Sequence, residues 1–93
     1  MTFEIIRERL AEVNEEAILF DGFEDALVGV ADRFMMESVA LYDHGKMVKI
    51  LVERDGMTHD DAIEYLSFNV YGLWAGPSTP VIATFPATYR VTQ

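Results

Sequence analysis

Residues 43–72, DHGKMVKILVERDGMTHDDAIEYLSFNVYG, decide the fold class of this chain. Met47, Ile50 and Leu51 recur at helical spacing, so the first half reads as an amphipathic helix over 44–55 with those side chains as its buried stripe. Asp43 stands where the helix should be capped and Gly56 where it should stop. Thr58 then caps a second helix over 59–71. Asp60 and Asp61 fall in its first turn, where the helix dipole favours carboxylates, and Met57 is placed to staple onto Ala62. Ile63, Leu66 and Val70 form its inward stripe, and Gly72 closes it. With so little chain between them, the two helices make a hairpin.

Working outward, Val39–Tyr42 (VALY) and Ala26–Ala31 (ALVGVA) are short apolar runs that read as strands, the latter too uniform to alternate, as for a strand covered on both faces. Ala17–Phe20 reads as a further strand entering a tight turn at Asp21-Gly22, and the three runs give an antiparallel meander. At the start of the chain Phe3, Ile6, Leu10 and Val13 recur at intervals of three and four, predicting a helix over 3–14 with Glu4, Glu8 and Glu12 on another face. Downstream, AGPSTP is loop chemistry. Val81–Phe85 is a last strand that Pro77, Pro80 and Pro86 confine to an edge or to short length. The expectation is one α+β domain over 1–93: an N-terminal helix, a small antiparallel sheet (meander plus edge strand), and the helical hairpin packed on one sheet face.

Ninety-three residues suit one core and are too few for two. So small a domain buries a modest share of its surface, which leaves room for a second copy or another partner to add stability. The chain has no cysteine, excluding disulfides, thiol nucleophiles and cysteine-based metal sites. Charges interrupt the apolar residues of MTFEIIRERLAEVNEE, so neither a signal nor a transit peptide fits, and no apolar run approaches the ~20 residues of a spanning helix. A cytoplasmic protein is the simplest expectation. Sixteen acids oppose seven bases for a net charge of −9, and residues 1–25 alone hold eight acids against Arg7 and Arg9, a net of −6. That field repels phosphate backbones, so no direct nucleic-acid partner is expected, whereas a basic protein surface is attracted.

The ordered set ERDGMT, DAIEYLSFNV and GLWAGPSTPV within residues 42–81 resembles a family of small acidic uncharacterised proteins encoded by bacteriophages and prophages. The strict match covers Tyr42 to Val81, and Met1 to Glu16 falls outside it. The resemblance carries over no catalytic residue. It implies a phage setting, in which short acidic proteins bind and disable host proteins, bacterial defence (CRISPR) systems included, or act as nucleic-acid decoys.

Glu4, Glu8, Glu12, Asp21, Glu24 and Asp25 are candidate partner-binding residues, as carboxylates that a Lys/Arg-lined groove would recognise; a solvated helix face eased by Arg7 and Arg9 explains the same residues. Trp74, between Gly72 and Gly76, suits an interface anchor or a buried lid, and Met35 with Met36 an adaptable contact patch or turn packing. A metal site would need His44, His59, Asp60 and Glu64 to converge, and no recognised ligand spacing is present, so no metal and no cofactor are expected. No nucleophile elbow or phosphate loop occurs, and no catalytic residue is assigned. The function expected is a non-enzymatic interaction module, an inhibitor of a host protein acting through an acidic, nucleic-acid-mimicking surface. A homo-oligomeric accessory protein, a homodimer included, and a small metal protein or enzyme are the alternatives.

Overall fold

In the computed structural model, which describes residues 3–86, the chain runs α1 (Phe3–Val13), a 3-10 turn (Glu24–Ala26), β1 (Leu27–Ala31), β2 (Val39–Asp43), α2 (His44–Asp55), α3 (His59–Leu66), a π-helical turn (Ser67–Tyr71) and β3 (Val81–Ala83). The ends of the expected 1–93 domain lie outside the described residues. This is an α+β fold with a three-stranded mixed sheet in the order β1-β2-β3.

The hairpin helices form where their signals stand. The Asp43 side chain accepts from the Lys46 N–H at the start of α2, and the Thr58 hydroxyl accepts from the Asp61 N–H at the start of α3. Gly56 ends α2 in the left-handed region (φ 71°), and Met57 N–H returns to the Leu51 carbonyl, a glycine-terminated helix stop. After Leu66 the second helix widens into a π turn. Val70 keeps the inward place that helical spacing from Leu66 gives it, and Phe68 and Tyr71 stay outside.

The sheet departs from the expected meander in three ways. Residues 17–20 form no strand, because their N–H groups are satisfied one at a time: Ala17 by the Asn14 carbonyl, Ile18 by the Ser78 carbonyl, and Phe20 by the Tyr42 hydroxyl at 2.8 Å. β1 is not covered on both faces. A bulge between Leu27 and Gly29 resets its alternation, so Leu27 (opposite Tyr42) and Val30 (opposite Ala40) both point to the core although three residues apart. The last strand is parallel to β2, with Leu41, Tyr42 and Asp43 opposite Val81, Ile82 and Ala83, because the whole helical hairpin intervenes as a crossover. The sheet is therefore mixed rather than antiparallel.

One face of this sheet carries the core. Ile6 and Leu10 of α1, Met47 and Leu51 of α2, and Leu66 of α3 close over Leu27, Ala40 and Tyr42. Val13, expected in the buried stripe, is exposed, and Asn14 takes the inward place instead. By register the opposite face presents Gly29, Ala31, Val39, Leu41 and Val81, small or aliphatic side chains. No helix among the described residues is long and apolar enough to cross a membrane.

Candidate interaction surface

On that second face, a cleft of about 550 Å³ opens between the β1–β2 loop (32–38) and the segment 71–81. Ala31, Val39 and Val81 line it from the strands, and Tyr71, Leu73, Trp74, Pro77 and Pro80 line it from the crossover. Loop chemistry fixes both walls. The Met36 N–H donates to the Arg33 carbonyl, and Ser38 Oγ bonds Asp32 Oδ1, closing the base of the 32–38 loop. Across the cleft, Gly76 adopts φ 95°, and the Thr79 hydroxyl donates to its carbonyl at 2.7 Å while accepting from the Ala75 N–H. Asn14, buried at the end of α1, joins the two: its Nδ2 donates to the Ser38 carbonyl (2.9 Å) and to Ser78 Oγ (3.1 Å), and its Oδ1 accepts from the Glu16 N–H.

Most side chains lining this cleft are apolar, and several of them are exposed. Trp74 is 72% exposed, and Leu73, Met36, Val81 and Tyr71 are exposed beside it. Large apolar side chains gathered on one open surface mark interaction sites, whereas single scattered ones do not. Tyr71 is held from behind by a hydrogen bond between its hydroxyl and Nδ1 of His44. Partial burial, and then the nearby Asp43 carboxylate, push the Tyr71 phenol up to about 12. A phenol raised this far stays protonated at neutral pH.

No protein-family model, curated protein or solved structure matches this chain. Beside the apolar cleft, and sharing Glu37 and Pro77 with it, lies a second depression of about 490 Å³ lined by Glu12, Glu15, Glu16 and Glu37 with no basic residue in its lining. Apolar cleft and carboxylate depression thus form one continuous surface, and Asp32 and Arg33 add charge to the cleft lining.

The residues singled out in the sequence are distributed unevenly over the fold. Trp74 is at the cleft and Glu12 at the adjoining depression. Glu4 is exposed and paired with Arg7 at 2.8 Å, and Glu12 lies 3.7 Å from Arg9. Glu24 and Asp25 line a separate depression with Glu53 and Arg54, where Glu24 accepts from the Gly22 N–H and Arg54 donates to the Gly22 carbonyl at 2.6 Å. Asp21 and Glu8 are exposed. The front-loaded acids therefore divide between depressions, and Glu15, Glu16 and Glu37 join Glu12 beside the apolar cleft. Asn14, Phe34, Glu37 and the Tyr71–His44 pair escaped sequence reasoning. Phe34 could have been found, since three consecutive large apolar residues, Phe34, Met35 and Met36, in a turn between strands break the rule that loops are polar.

His44 and His59 border a shallow groove along α2 with Lys49 and Glu53, while Asp60 and Glu64 stay outside its lining. Among the described residues no three His, Asp or Glu side chains group closely enough to hold a metal ion.

Proposed function

We propose that this chain is a non-enzymatic protein-interaction module that docks an apolar anchor of a basic partner protein in the Trp74 cleft while Glu12, Glu15, Glu16 and Glu37 meet the partner's Lys and Arg side chains. The observation that carries the reading is the continuity, through Glu37 and Pro77, of the largely apolar cleft with a depression whose only charged lining residues are the carboxylates Glu12, Glu15, Glu16 and Glu37. An anchor in a desolvated pocket supplies affinity, and a one-signed rim steers encounter and sets register. The net charge of −9 extends the attraction to a basic surface beyond the contact itself. Drawing on the resemblance to phage-encoded acidic proteins, the proposed partner is a host protein in the cytoplasm, and the proposed outcome is its inhibition by occupation of a basic site that otherwise takes nucleic acid. Glu4, Glu8, Asp21, Glu24 and Asp25 serve in this reading as the outlying field rather than as the contact.

Pull-down from host lysate with the wild type, with Trp74→Ala and with the triple variant Glu12→Lys, Glu15→Lys, Glu16→Lys tests it. All these side chains are exposed, so the variants keep the fold. The expected result is a captured protein that is lost with either variant, released by raised salt and competed by nucleic acid. Equal capture by all three proteins overturns the reading.

A further inference from the structure

The tip of the β1–β2 loop is left unexplained by the cleft it helps to build. Phe34 is 90% exposed and Met35 85% exposed. Met35 also takes φ 65°, the left-handed region that glycine and asparagine occupy at little cost and a large side chain avoids. Two large apolar side chains thus stand in water on a strained turn.

The same face offers a matching hole. The 550 Å³ cleft lies directly beside the tip, and its walls include Arg33 and Met36 of the same loop, so the tip flanks its own cleft and cannot fill it. A knob and a hole side by side on one face let two copies fill each other's hole about a twofold axis, the closed arrangement of the two that such a pair allows. Local charge offsets part of the repulsion between two copies of net charge −9. Arg33, next to the tip, forms no ion pair among the described residues, and the cleft edge it would approach in a second copy carries Glu37 and the adjoining Glu12, Glu15 and Glu16.

We infer that the protein self-associates as a twofold dimer in which Phe34 and Met35 of each copy enter the Trp74 cleft of the other, with Arg33 set against Glu37 of the second copy. The inference rests on the reading of the cleft as an apolar docking site, and it adds regulation: dimerisation covers the anchor pocket, and a basic partner must displace the tip to engage it.

Trp74 is the single tryptophan of the chain and lies in the proposed contact, so its fluorescence reports the dimer directly. Sedimentation and Trp74 emission are followed over a dilution series of the wild type and of Phe34→Asp, with thermal unfolding as the control for folding. The expected wild-type result is a monomer–dimer equilibrium in which emission shifts to the blue as dimer forms. Phe34→Asp should raise the dissociation constant about a hundredfold or more, because an anchor of hot-spot size is lost twice in a twofold interface. A wild type that stays monomeric with red emission at every concentration overturns the dimer, as does a Phe34→Asp protein that dimerises like the wild type. Salt separates this failure from that of the proposed function. Raising salt screens the repulsion between two bodies of net charge −9 and strengthens the dimer, whereas it weakens capture of a basic partner.

Discussion

At the scale of single residues, Asn14 does more for the surface than any of the carboxylates that made it conspicuous. Its buried amide bonds Ser38 at the foot of one cleft wall and Ser78 in the other, and its carbonyl oxygen caps the turn after α1. Asn14→Ala removes these bonds from a buried side chain, and should cost about 2 kcal/mol in denaturant unfolding. Tyr71 gives a pH signature. Its phenol is raised to about 12 in the folded protein against an ordinary value near 10, so between those limits the folded state holds a proton that the unfolded state has released. Stability from this group is complete below about pH 10 and is lost as pH rises toward 12. Burial raises Tyr42 in the same sense. Tyr71→Phe should remove its share of the alkaline loss, seen as a flatter melting temperature against pH than that of the wild type.

Among the elements, the hairpin helices were legible and the sheet was not, and the difference is physical. Helix signals are local: Asp43, Gly56 and Thr58 each act on backbone groups within a turn, so their positions fix the boundaries. Gly56 is the sharpest case. With φ 71° and open space around its α-carbon, Gly56→Ala meets no neighbour but strains the backbone, and should cost about 1 kcal/mol by thermal or denaturant unfolding. Strand pairing depends on partners far along the chain. Nothing within Ala17–Phe20 announces that the Tyr42 hydroxyl will take the Phe20 N–H, and nothing within Val81–Ala83 specifies a parallel neighbour. The bulge at Val28 likewise arises from pairing against β2 and is silent in the ALVGVA run. The π turn after Leu66 follows a helical pattern without a break, so the sequence carried its residues into α3.

For the molecule as a whole, charge was readable but its arrangement was not. Counting acids along residues 1–25 suggests one acidic front, yet folding sends Glu12, Glu15 and Glu16 to the cleft side and Glu24 and Asp25 toward Arg54. The apolar cleft needed three dimensions, because its walls come from residues 31–39 and 71–81, brought together by the sheet and by Asn14. Net charge also gives the two association modes opposite ionic-strength slopes, so one salt titration of dimer and of captured partner weighs both proposals on a single sample. The parallel pairing of β3 has a further result. Its ladder joins β2 across the crossover 44–80, a long-range closure resting on three residue pairs. A brief detachment of that strand would dissolve one wall of the cleft while the packed side chains of α1, α2 and α3 stay in place. Grip on a ligand is then set partly by how seldom β3 lets go, and a substitution that anchors this strand tightens association without touching the contact surface.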